Sequence, residues 1–395
     1  MTSHHREPAP APGPGDRCPG VLRTFPAADG GIARLRFPGG RLRPGDWAAL
    51  AGIATDHGGD VHLTSRGNVQ ISGIRDEPLL QERVGTAGLL PSPDHDRVRN
   101  IIASPLAGRL DGHHDLGDLP EQVDAALLAS RDATGLSGRF LFGLDDGSGD
   151  VLAHSPDLTA VAGAGAARGA LRVHVAGRDA VVDVPARDIA TVLVDVAAEF
   201  ARRSGGAWRI PGSGGVHDLV VVALADHPHS APGPPGTAPG PGTGVGPRVG
   251  WIDTADGLVT LLGVVPFGVV SARLAEFLGA VDRPSTISAD RVIGLHGLTE
   301  GMAEQVVRVL APMGMVFDAA SPWVEVTACT GLPGCSRSLT DVRYDAADAV
   351  RTGTLPVAGP QHWVGCDRAC GDTGRGERVT ATPAGYRVGR PRRTD

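Results

Sequence analysis

Four of the five cysteines in this 395-residue chain fall in its last fifth. Cys329 and Cys335 stand in "TACTGLPGCSRS", and Cys366 and Cys370 in "HWVGCDRACGDT". The spacing is Cys-x5-Cys, thirty residues, then Cys-x3-Cys. Four converging thiolates are the ligand set of a 4Fe–4S cluster. Structural zinc is the first alternative, but its cysteine pairs favour gaps of two to four residues, and the five-residue gap fits poorly. Four unliganded small thiols are the second. An odd total of cysteines, in a chain expected in a reducing compartment, argues against a disulfide framework. Gly331, Pro333, Gly334, Gly365 and Gly371 permit tight loops whose N–H groups can approach sulfur, and such bonds tune a cluster. Cys18, far away in "RCPGV", is expected to be a packed or loop thiol.

The elements between the two pairs must bring them together. "LTDVRYDAADAVR" predicts a helix and "QHWVG" a short strand. A helix followed by a returning strand can carry the second pair back beside the first. A second feature lies upstream, where residues 30–74 and 256–298 follow one plan: strand, Pro/Gly turn, amphipathic helix, loop, two strands. Pro38 and Pro266, and Leu50 and Leu278, match at one offset, so an internal duplication is expected. In 45–57, Trp47, Leu50, Ala51 and Ala54 share a helical face, and Gly58-Gly59 ends the helix. In 187–203, Ile189, Val192, Leu193, Val196 and Phe200 keep helical spacing. Val61/Leu63 and Val69/Ile71 alternate as half-buried strands do. Mixed elements without repeated βαβ units or a Gly-rich dinucleotide fingerprint predict an α+β fold rather than a Rossmann architecture.

The length implies two to four packing units. Residues 1–16 are Pro-rich and polar and are expected to be disordered. "HPHSAPGPPGTAPGPGTGVGPRVG", 227–250, is expected to be a linker between halves. A net charge of −7 argues against nucleic-acid binding through bulk charge. No apolar run approaches the roughly 20 residues of a membrane span. "MTSHHREPAPAPGPGDR" lacks a secretory apolar core, so a cytoplasmic location is expected.

The cysteine order resembles that of the nitrite and sulfite reductase superfamily. "LTSRGNVQISGI" (63–74) is similar to its first-half hairpin, and "RNIIASPLAG" (99–108) to the segment that follows. The resemblance covers residues 18 to about 388. It implies a pseudo-twofold α+β chain of two ferredoxin-like half-modules (17–90 and 251–305) and two larger domains (91–226 and 306–390), the last holding the cluster. Within the superfamily, "CPGVLRTFPAADGGIARLRFPGGRL" (18–42) and "GRFLFGLDDGSGDV" (138–151) resemble the precorrin-3B synthase family of aerobic cobalamin biosynthesis. Assimilatory reductases would carry two basic residues, one apart, in the latter segment. Here Arg139 matches the first, while Leu141 stands at the second, which weakens a small-anion substrate.

This resemblance implies oxygenation of precorrin-3A at C20 with γ-lactone closure, consuming dioxygen and two electrons. It implies a 4Fe–4S cluster on Cys329, Cys335, Cys366 and Cys370, together with a non-haem iron. No nicotinamide or flavin motif is visible, so an external donor (ferredoxin, a reductase or an NADH-linked protein) is expected. The substrate is rich in carboxylates, which arginine forks match bidentately. Arg66 and Asn68 at the hairpin tip, with Arg99 and Arg139, are the expected contacts, lining a cleft between the halves. Trp323 and Trp363 are expected in the core, and His113, His114 and Asp115 in a solvated loop. The alternatives are a sirohaem nitrite or sulfite reductase, with Cys370 bridging cluster and haem iron, and a non-catalytic metal-binding module.

Overall fold

A computed structural model describes residues 16–163, 166, 169–177, 180–233 and 247–389. Contacts divide these into two units. One takes residues 16–20, 36–40 and 90–233, the other 21–35, 41–89 and 247–389. Among the described residues, no helix is long and apolar enough to cross a membrane.

The chain begins with the first half-module. Strands β1 (Phe25–Ala27) and β2 (Gly30–Leu35) form a hairpin, and a 3-10 turn at Pro38–Gly40 leads to β3 (Arg41–Leu42). Helix α1 (Pro44–His57) follows, then β4 (Asp60–Leu63), β5 (Val69–Ile74) and α2 (Glu77–Thr86). The expected face of α1 is the buried one, with Trp47, Leu50 and Ala54 fully inaccessible. Gly58 at φ 135° and Gly59 at φ 89° end it, and the Gly59 N–H donates to the Ala54 carbonyl at 2.6 Å. Only glycine takes such φ values without steric cost.

The inserted unit contains β6 (Ile101–Ala103), α3 (Leu119–Ala129), β7 (Phe142–Asp145), β8 (Leu158–Ala162), β9 (Ala170–Val175), β10 (Ala180–Pro185), α4 (Ile189–Arg203), α5 (Gly215–Ala225) and β11 (Ala231–Pro232). Its six-stranded sheet has the order β11-β10-β9-β8-β7-β6, with β6, β7 and β8 parallel. The apolar stripe of α4 is buried in one core with Phe140, Phe142 and Val173. Two boundary expectations are corrected here. Asp16, assigned to the disordered start, is buried and accepts hydrogen bonds from Gly138 N (2.9 Å) and Ser137 Oγ (3.0 Å). Ala231 and Pro232, assigned to the linker, pair with β10 as the sheet's edge, a place that tolerates a residue without an N–H. Residues 1–15 and 234–246 of the two expected low-complexity stretches lie outside the described residues.

The second half-module repeats the first. Its elements are β12 (Gly250–Asp253), β13 (Val259–Val264), a turn at Pro266–Gly268, β14 (Val269–Ser271), α6 (Ala272–Ala280), β15 (Ser285–Ile287), β16 (Val292–Leu298) and α7 (Glu300–Leu310). The two modules exchange strands. One sheet has the order β1-β2-β5-β4-β14 and the other β12-β13-β16-β15-β3, so each borrows its last strand from the other copy. Beneath the exchange, Trp47 Nε1 of α1 donates to Ser285 Oγ of β15 at 2.7 Å. The half-modules therefore form one body.

The chain ends in β17 (Val326–Ala328), α8 (Val342–Thr352), β18 (Gln361–Val364), β19 (Glu377–Thr382) and β20 (Gly385–Val388). These strands form one sheet in that order, with β17, β18 and β19 parallel. Val326, Ala346, Ala349, Trp363 and Val379 make its core, and Trp363 meets Tyr386 edge-on at 4.7 Å. Trp323 packs edge-on against Phe267 at 5.3 Å. Both tryptophans thus pack against aromatic neighbours, Trp363 within the core.

Candidate metal centre

Parallel neighbours need a crossover, and α8 supplies it between β17 and β18. Because Ala328 lies opposite Trp363, the chain leaves both strands at the same edge of the sheet. Cys329 directly follows β17, and Cys366 comes two residues after β18. The C-terminal edge of parallel strands is where such sheets place ligands. The predicted helix and returning strand are therefore present and carry the second pair back to the first.

The loops close tightly around the sulfurs. Cys329 N donates to the Trp363 carbonyl at 2.9 Å, and Gly365 N approaches Cys329 Sγ at 3.4 Å. Cys335 N returns to the Gly331 carbonyl at 2.8 Å, and Leu339 N to the Gly365 carbonyl at 2.9 Å. A Cβ on Gly365 would lie 1.7 Å from Ser338 Oγ, so glycine is required for the two loops to touch. His362 Nε2 donates to the Cys370 carbonyl at 3.0 Å, while Thr327 Oγ1 lies 2.8 Å from its Nδ1. That pattern selects the Nε2–H tautomer. Burial holds this imidazole's pKa down at about 4, so it stays neutral.

The thiols influence one another. Burial raises the Cys329 thiol, N–H groups of Gly365 and Gly331 oppose this, and Cys370 and Cys335 raise it further. Burial likewise raises Cys370, with Cys366 and Cys335 adding to it against the pull of Arg368. Two arginines stand close by. Arg343 of α8 donates from Nε to the Cys329 carbonyl at 3.2 Å, and Arg291 donates from Nη2 to the Gly371 carbonyl at 3.4 Å. Burial lowers the pKa of both guanidiniums from a very high starting value, and arginine remains cationic in proteins. The two thiols that burial holds back from ionisation, an N–H aimed at sulfur and desolvated cations nearby suit an anionic metal–sulfur group. A coordinating metal deprotonates thiols outright.

Beside this centre, in the same unit, is a cavity of 830 Å³ whose walls include Asp29, Asp60, His62, Thr330, Gly334 and Arg343. Burial, then the Arg343 charge, brings His62 down to about 4. Burial raises the Asp60 carboxyl, and Arg343 counters it.

The expected substrate contacts divide between the units: Arg66 and Asn68 in one, Arg99 and Arg139 in the other. Arg66 is half-buried in the β4–β5 turn, and Asn68 is fully buried. Arg99 forks onto Asp124 of α3 through Nε (2.6 Å) and Nη2 (2.7 Å), leaving Nη1 as the group it can offer a ligand. Arg139 is exposed, with its guanidinium 4.6 Å from the centre of the Trp208 ring. Leu141 is buried.

Three groups escaped the sequence reading: Arg291, Arg343 and a carboxylate trio. Asp145, Asp146 and Asp150 of "DDGSGD" bring their oxygens within 4.8 Å of one another. Asp145 accepts the N–H groups of Gly147, Gly149, Val151 and Leu152, so it organises its own turn. His113 Nδ1 holds Asp146 at 2.8 Å, which gives that histidine a structural place.

The fold is the nitrite/sulfite reductase-like α+β arrangement. Residues 26–80 match the ferredoxin-like half domain of nitrite and sulfite reductases. The Mycobacterium tuberculosis NirA protein has a similar structure over 91% of this chain and 73% of its own, with a TM-score of 0.73 and 17% sequence identity. No curated protein matches the chain.

Proposed function

We propose that this chain is an iron–sulfur oxidoreductase acting on a tetrapyrrole, and specifically a precorrin-3B synthase-like monooxygenase. The observation that carries the reading is the β17–α8–β18 crossover, which sets Cys329 and Cys366 at one sheet edge, with Cys335 and Cys370 near enough to raise the Cys329 thiol. The nitrite/sulfite reductase-like fold supports it. A cluster bound by the four cysteines would supply one-electron transfer. Net, precorrin-3A gains one oxygen atom from dioxygen, and the other leaves as water with two electrons and two protons.

The chain's own groups bind, orient and tune. Arg66 offers its guanidinium to a substrate carboxylate from a rigid hairpin, and Asn68 supports that turn from within. Gly365 presents an N–H to sulfur. Leu141, uncharged and buried, leaves Arg139 without the second cation a small anion would require. Electrons come from an external donor protein, and reduced thiols suit a cytoplasmic enzyme.

The deciding experiment incubates the cluster-replete protein with precorrin-3A without oxygen, then admits oxygen with a reductant. A product heavier by one oxygen atom is expected. Unchanged substrate from a fully loaded sample overturns the monooxygenase reading.

The half-domain match favours one second reading, a sirohaem nitrite or sulfite reductase. Sharp macrocycle absorption bands in the purified protein would select it, whereas a cluster alone gives a broad brown shoulder.

A further inference from the structure

The duplicated turns share one hydrogen-bond pattern but place different residues at its left-handed position. In the first half-module, Thr64 N donates to the Asn68 carbonyl (2.9 Å), Gly67 N to the Thr64 carbonyl (3.3 Å) and Asn68 N to Thr64 Oγ1 (3.2 Å). In the second, Ser288 N donates to the Val292 carbonyl (2.9 Å), Arg291 N to the Ser288 carbonyl (3.0 Å) and Val292 N to Ser288 Oγ (3.2 Å). Gly67 has φ 62° and Arg291 has φ 63°. A side chain at such a φ costs about 1–2 kcal/mol, which glycine avoids. Arginine therefore stands where the fold prefers glycine, and something must offset that cost.

Its guanidinium shows what does. Nη2 reaches the Gly371 carbonyl, one residue beyond Cys370, while His362 holds the Cys370 carbonyl itself. The adjacent Asp290 carboxylate is engaged by Arg375 at 3.1 Å. Among the described residues Arg291 makes no ion pair; the neighbouring Asp290 carboxylate acts on its charge from a distance while being held by Arg375. The side chain keeps some accessible surface although its surroundings desolvate it.

We propose that Arg291 is a positioning residue for the cluster, anchoring the Cys366–Cys370 loop and, as a fixed cation, raising the cluster's reduction potential. This rests on the cluster-bearing reading above. Net charge and nearby hydrogen bonds set the potential of such clusters. The reduced cluster carries one more negative charge than the oxidised one, so a fixed cation in a poorly solvated place stabilises it more.

The test compares wild type, Arg291→Gly and Arg291→Lys, prepared anaerobically, by iron and acid-labile sulfide content and by redox titration of the reduced cluster's paramagnetic signal. Arg291→Gly is expected to fold and keep its cluster. The ratio of reduced to oxidised cluster at fixed poise should fall about tenfold, 59 mV for one electron. Arg291→Lys should retain most of the wild-type potential. A folded glycine variant lacking its cluster, with the lysine variant loaded, would also support the anchor. An unchanged potential in loaded Arg291→Gly overturns the proposal, as does cluster loss from both variants. An unfolded glycine variant overturns it too, because glycine relieves this backbone. Wild type without iron and sulfide would instead defeat the functional reading itself, a separate outcome.

Discussion

Arg291 holds, in the second copy of a duplicated turn, the left-handed position that Gly67 holds in the first. The same backbone trick thus serves two purposes. The first turn carries Arg66 just ahead of its glycine, and the second moves the guanidinium onto the strained residue, where it reaches the cysteine loop. A duplicated scaffold has diverged at its turns while keeping its ladder register, with Leu63 opposite Val69 and Ile287 opposite Ile293.

Replacing one thiol should dismantle the centre without unfolding the chain. Cys335→Ser leaves the Cys335 N–H bond to Gly331 available, so the loop can persist. Most of the broad visible absorption, and the iron and sulfide with it, should disappear while far-ultraviolet dichroism is kept. Full iron and sulfide in the serine variant would remove Cys335 from the ligand set.

Arg66→Ala should leave cluster content unchanged and weaken tetrapyrrole binding. A charge-assisted hydrogen bond contributes about 1.5–3 kcal/mol, or roughly 10–100-fold in Kd. Titration of the tetrapyrrole's fluorescence against the variant measures this directly. An unaltered Kd excludes Arg66 from the site.

Trp47 ties the two half-modules at their centre. Trp47→Ala removes a wholly buried indole and should cost about 3–5 kcal/mol. Trp47→Phe keeps the ring but drops the bond to Ser285 and should cost about 1–2 kcal/mol. Denaturant midpoints give both values, and a Trp47→Phe midpoint equal to wild type would show that the hydrogen bond contributes nothing.

His62 should make stability depend on mildly acidic pH. Its imidazole titrates near 4 in the fold and near 6.5 unfolded. Between those values the unfolded chain binds the extra proton, so stability is full above about 6.5 and falls as pH drops toward 4. At 1.36 kcal/mol per unit the loss is at most about 3 kcal/mol, reduced by the ring's remaining solvent contact. His62→Gln should lessen this slope between pH 7 and pH 5 in denaturant titrations, His362 supplying the remainder. A slope equal to wild type would locate the acid sensitivity elsewhere.

The local elements were legible because their signals are local. Trp47, Leu50 and Ala54 announce α1, and the cysteine spacing with its intervening helix and strand announces the crossover. What escaped depends on distant register. Arg291 looks like any turn arginine until β15 and β16 are aligned with β4 and β5. Arg343 is one charge on an amphipathic helix until α8 is seen to pack beside Cys329. Arg99 reads equally well as ligand or ion pair, and only the approach of α3 puts Asp124 against it. Composition also misled at Ala231–Pro232, since a proline-rich stretch can still supply an edge strand.

The borrowed strands have a bearing on how the molecule is born. As the first module emerges from the ribosome, the β4 edge of its sheet stays uncovered until Val269–Ser271 has been synthesised. Residues 64–268, which include most of the inserted unit, must be made in between. Early translation therefore exposes a waiting edge, and neither copy can be expressed as a finished half without the other.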